Sequence, residues 1–131
     1  MILVDSSVWI AFLSPRTSDV DSMVGSLIRS PGQTVIAGVV LQEVLQGIKN
    51  EKSFHLVGSL MGRLAILEPD QKTYLNAARI FRSVVNGGKS CTTVDALIAA
   101  LAVQYGVRLF TLDRDFQTIA KHSDLKLFPF S

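Results

Sequence analysis

Cysteine and histidine are nearly absent. Cys91 is the single thiol, and His55 and His122 are the only imidazoles in 131 residues. One cysteine excludes an internal disulfide framework and a cysteine zinc site. Two histidines, both read as surface residues outside any motif, leave no positioned imidazole pair for acid–base catalysis. Long apolar runs are missing too. The longest, 96–103, is far short of the ~20 residues that span a bilayer. No basic segment precedes a long apolar stretch at the N-terminus, so no signal peptide is expected. These absences favour the cytoplasm and no membrane partner. Charge is sparse at 18%, against 48% hydrophobic residues, which excludes a disordered, charge-solvated chain. Repeats, low-complexity tracts and long linkers are absent. A single domain over 1–131 is the expectation.

What remains alternates. Short apolar strands are expected at Ile2–Val4, Thr34–Ala37, Leu64–Leu67, Arg108–Thr111 and Leu125–Phe128. Helices are expected between them: up to about Leu13, Asp19–Arg29, Val39–Ile48, Ser53–Met61, Gln71–Val85, Thr92–Tyr105 and Phe116–Lys121, with "SPRTS" as a loop. The alternation predicts parallel βαβ units with helices on both faces of a sheet. Right-handed crossovers then gather the carboxyl ends of the strands on one rim, where ligands bind in open α/β sheets.

Acids fall at that rim from four separate segments. "ILVDSSVW" runs a strand straight into Asp5, and "LFTLDRDF" does the same with Asp113 and Asp115. In "VLQEVLQGI", Glu43 lies just off the edge of the apolar arc of a helix, beside Gly47. In "TTVDALIAALAV", Asp95 is the only charge on a helix that is apolar nearly all round. Each acid has an ordinary alternative. Asp5 suits a helix N-cap, Asp95 a first-turn anion, Asp113 and Asp115 a turn, and Glu43 a solvated face. Jointly these alternatives fare worse. Carboxylates crowded on one rim repel unless a cation lies between them. An all-oxygen ligand set suits magnesium or manganese rather than zinc.

"VDSSVWI", "LQEVLQGI", "TVDALIAALA" and "TLDRDF", in this order and spacing, resemble the PIN-domain ribonucleases, most closely the VapC-type toxins of prokaryotic toxin–antitoxin pairs. The resemblance covers almost the whole chain. It implies a three-layer α/β/α fold with a five-stranded parallel sheet. It also implies a magnesium- or manganese-dependent endoribonuclease site on Asp5, Glu43, Asp95 and Asp113, with Asp115 as an additional acid. Whether Asp113 or Asp115 lies nearer the metal stays open. Ser6 matches the hydroxyl residue common after the first aspartate. It and Thr111 are candidate hydrogen-bonding groups behind the ligands. The implied partners are an RNA substrate, a cognate antitoxin and a second copy of the chain.

The charge balance fits a polyanionic substrate. Setting the five acids aside leaves 13 Lys and Arg against 6 Asp and Glu (11 − 5), or +7. Lys49, Lys52, Lys89 and Arg114 are expected near the rim. Other signals are rejected. "VNGGKSCTT" has Ser83 where a phosphate-binding loop needs glycine, and Cys91 has no histidine beside it. Trp9 and Phe12 read as core packing. The rivals are a non-catalytic PIN-like binding module and a receiver-like signalling domain. The latter wants an acceptor Asp where the third strand here ends in Glu68-Pro69.

Overall fold

The structure, a computed structural model, describes residues 1–13, 25–27, 29–30 and 32–129. Four short strands, β1 (Ile2–Val4), β2 (Thr34–Ala37), β3 (Ala65–Leu67) and β4 (Arg108–Phe110), form a wholly parallel sheet in the order β3-β2-β1-β4. The helices are α1 (Ser6–Phe12), α2 (Gly38–Gln46), α3 (Glu51–Met61), α4 (Gln71–Asn86), α5 (Thr93–Tyr105) and α6 (Asp115–Lys121). Residues 25–27 and 29 are also helical. The rest of the helix expected at Asp19–Arg29, and the "SPRTS" loop, lie outside the described residues.

Helices α1, α2 and α3 pack on one another, and α4, α5 and α6 form a second group. Right-handed crossovers place these groups on opposite faces, giving three layers. The core is built where apolar runs meet. Leu3, Val4, Ile36, Leu109 and Phe110 of the strands are fully buried, as is Trp9, whose ring edge meets Phe12. Helix α5 is the central one. Ala96, Ala99, Ala100 and Ala102 are small enough to let α4 and the sheet approach on several sides. Thr92 caps its start, accepting from the Asp95 backbone N–H at 3.0 Å. Gly106 ends it in the left-handed region at φ 64°, which glycine adopts without a Cβ clash.

Among the described residues the sheet has four strands where five were expected. The segment at Leu125–Phe128 makes only an isolated parallel bridge, Leu109 to Leu127. Two bonds hold it: Leu109 N–H to Lys126 O at 2.9 Å, and Phe128 N–H to Leu109 O at 2.8 Å. The chain enters this segment from a turn at Ser123, whose hydroxyl accepts from the Leu125 N–H. It leaves at Pro129, which has no N–H to extend a ladder.

The strand order reverses beside β1. The chain moves from β1 to β2 to β3 in one direction, then returns to place β4 on the other flank of β1. A crevice at the carboxyl ends of β1 and β4 follows from that reversal. Val4 lies opposite Phe110, and the Asp5 N–H bonds the Phe110 carbonyl at 2.9 Å. Asp5 and Thr111 therefore leave their strands side by side.

Candidate metal centre

Asp5 fills the N-cap position that the sequence offered as its ordinary alternative. It caps α1, with Oδ2 accepting from the Ser7 backbone N–H at 3.4 Å. It is also only 3% exposed, far more than a cap requires. Its Oδ2 accepts from the Ser7 hydroxyl at 2.7 Å and from the Thr111 hydroxyl at 2.8 Å. Both hydroxyls also accept from the β4–α6 connection. Ser7 Oγ takes the Leu112 N–H and Thr111 Oγ1 takes the Asp113 N–H, each at 3.0 Å. The Asp113 Oδ1 then accepts from the Asp115 N–H at 2.9 Å. One relay of hydrogen bonds thus fixes Asp5, Asp113 and Asp115 relative to one another. Sequence reasoning passed over Ser7. The signal was present, because an Asp accepting from the residue two positions on is an ordinary Asx turn.

Asp95 arrives from α5. One oxygen each of Asp95, Asp113 and Asp115 lie within 4.8 Å of one another. Burial pushes the Asp95 carboxyl up to about 6. Thr92 opposes the shift by hydrogen bonding, while the charges of Asp113, Asp5 and Asp115 add to it. Glu43 arrives from α2, half buried, and its pKa is also raised. Burial is the main cause and the Asp5 charge the second, with a hydrogen bond from Ser6 pulling the other way. Glu43 Oε1 is fully buried and has no hydrogen-bond partner among the described residues.

The five acids therefore form a chain of like charges, Glu43 to Asp5 to Asp95 to the Asp113–Asp115 pair. No lysine or arginine is paired with any of them among the described residues. The one ion pair there joins His55 to Glu51 on exposed α3. Arg114 is exposed between Asp113 and Asp115, and Lys89, Lys49 and Lys52 are exposed as well. His122, expected at the surface, is half buried, with Nδ1 2.9 Å from the Thr118 carbonyl and its ring against Gly87. Cys91 is half buried. Burial and the neighbouring Asp95 and Asp115 charges raise its thiol pKa, which makes it a poor nucleophile. No helix among the described residues is long and apolar enough to cross a membrane.

Known proteins resemble this chain in sequence and in fold. Ribonuclease VapC11 of Mycobacterium tuberculosis is 28% identical over 133 residues, covering 99% of each chain. VapBC2 from Rickettsia felis, solved bound to a DNA fragment from its promoter, superposes with a TM-score of 0.80 at 18% identity over 100% of both chains. A toxin–antitoxin complex from Klebsiella pneumoniae superposes with a TM-score of 0.70 at 19% identity, covering 87% of this chain and 88% of that one. At such identities the two structures speak to the fold. A family model for the PIN domain matches residues 2–122, and the chain belongs to the PIN-domain family.

Proposed function

We propose that this chain is a divalent-metal-dependent endoribonuclease and the toxin of a toxin–antitoxin pair. One observation carries the catalytic part. Asp95, Asp113 and Asp115 bring carboxylate oxygens within 4.8 Å of one another, Asp5 and Glu43 adjoin them through like-charge repulsion, no lysine or arginine pairs with any of the five among the described residues, and one buried oxygen, Glu43 Oε1, has no donor there. An acceptor buried without a partner is costly, and a hard cation relieves both that cost and the repulsion. The donors are all carboxylate oxygens, which suits magnesium or manganese. Asp5, Glu43, Asp95, Asp113 and Asp115 would hold the ion.

When bound, such an ion supplies charge neutralisation at a phosphodiester and a water of lowered pKa. The chain supplies the rest. Ser7 and Thr111 lock the Asp5 carboxylate against rotation, and the same hydroxyls hold the Asp113 turn at a fixed distance from it. Positioning of this kind governs phosphoryl transfer, where little covalent work falls to the protein. Asp95 keeps its proton up to about pH 6 in the metal-free chain, so protons compete with the ion in mild acid. The family membership, and relatives whose names include ribonuclease and toxin–antitoxin complex, favour the RNA substrate and an antitoxin partner. A second copy of the chain is proposed on the same resemblance.

The test uses purified protein and a labelled single-stranded RNA. Cleavage is expected with manganese, lost in excess chelator and lost in Asp95→Asn. Co-expression with a small neighbouring reading frame is expected to relieve growth arrest and to co-purify. Cleavage that persists in chelator, from a preparation free of other nucleases, contradicts the metal-dependent reading.

A further inference from the structure

A cavity of about 350 Å³ opens directly beside the acid cluster, between the start of α6 and the segment that follows it. Thr111, Asp113, Arg114, Gln117 and Phe128 line it. It shares Thr111 and Asp113 with the candidate metal centre, so whatever occupies it lies next to that centre. Its volume is at the small end for ligand sites, enough for one nucleotide and too small for a duplex. Phe128 is half buried, with its ring centroid 5.2 Å from that of fully buried Phe110, and its backbone N–H is bonded to the Leu109 carbonyl. That makes a rigid aromatic wall. Gln117 and Arg114 are exposed, three residues apart and on the same wall of the cavity. Among the described residues neither side chain makes a hydrogen bond or ion pair, so both are free to meet a ligand.

Single-stranded RNA is recognised by stacking bases on aromatic rings and by hydrogen bonds to their edges. A Gln amide offers one donor and one acceptor to a base edge, and an arginine fork suits a phosphate. Resting on the ribonuclease reading, we propose that this cavity binds the base of the nucleotide adjoining the cleaved bond and sets base preference there. Phe128 stacks on the base, Gln117 reads its edge, and Arg114 contacts the backbone phosphate.

Two readouts test this, one of them independent of catalysis. In chelator, the four ribonucleoside 5′-monophosphates are titrated into isotopically labelled protein. Saturable amide shifts are expected at Thr111, Arg114, Gln117 and Phe128, with one base bound more tightly than the others. Ribose 5-phosphate is expected to bind more weakly. In manganese, cleavage of oligoribonucleotides randomised around the cut is expected to show a preference at one flanking position. Gln117→Leu is expected to flatten that preference. Phe128→Leu raises KM about tenfold or more for all sequences, as loss of a stacking platform does. Because Phe128 packs on Phe110, its variant is scored only if its melting temperature is retained; exposed Gln117 carries the test otherwise. Cleavage with unchanged base preference in Gln117→Leu overturns the cavity assignment and leaves the ribonuclease reading standing. So do mononucleotide shifts that miss these residues. Mononucleotide binding here by a wild type that cleaves no RNA overturns the ribonuclease reading instead.

Discussion

Replacing Asp95 with asparagine should make the metal-free protein more stable at neutral pH. Burial and three neighbouring carboxylates raise the Asp95 pKa from 3.8 to about 6. The folded state therefore binds this proton more tightly than the unfolded chain. Its contribution is most favourable below about pH 4, declines as pH rises towards about 6, and stays low above that. Two units at roughly 1.4 kcal/mol each give a ceiling near 3 kcal/mol. The carboxyl is only half buried, so solvent screening reduces the expected gain to about 1–2 kcal/mol. Asparagine keeps an oxygen for the Thr92 hydroxyl, and the Thr92 cap uses the backbone N–H of residue 95, so neither contact confounds the comparison. The assay is thermal unfolding of both proteins in chelator across a pH series. Asp95→Asn should lead by about 3–8 °C in Tm at neutral pH, and the lead should vanish near pH 4. Equal stability at neutral pH, or a difference that persists in acid, would refute the reasoning.

Other perturbations separate the remaining roles. Ser7→Ala removes the hydroxyl that donates to Asp5 and accepts from Leu112; it should lower stability by about 1–2 kcal/mol and RNA cleavage with it, measured by melts and by the RNA assay. Asp5→Ala, which strips the α1 cap and two buried hydroxyl bonds, should cost about 2–3 kcal/mol. Asp5→Asn should fold nearly normally in the same melts yet lose metal-induced stabilisation. Gly87→Ala sets a Cβ against the His122 imidazole; it should destabilise by about 1–3 kcal/mol, and His122→Ala in the same chain should recover much of the loss in a double-mutant cycle.

Which parts of this were legible in the sequence follows from physics. Asp5, Asp113 and Asp115 were visible because strand ends announce a rim and the acids follow at once. Asp95 was visible as the single charge on an apolar helix. Glu43 was ambiguous, because a helical wheel cannot say whether an arc-edge residue faces solvent or a sheet rim; its buried oxygen depends on where α1 and Asp5 lie. The extent of the last strand was not legible either. Leu125–Phe128 has strand composition, but its ladder is cut short by the Ser123 turn and Pro129. His122 was misplaced at the surface because its burial depends on a glycine 35 positions away in sequence. The ends of the described helices came within a residue or two, the usual uncertainty where capping residues decide.

Manganese-binding calorimetry on the wild type and on Asp5→Asn, Glu43→Gln, Asp95→Asn and Asp113→Asn tests most directly that four chain segments build one centre. Each variant removes a carboxylate from a different segment. The account predicts saturable binding to the wild type and a loss of about tenfold or more in Kd, at least 1.4 kcal/mol, in every variant. Wild-type affinity retained in the variants of two or more segments would show that the acids do not act as one site.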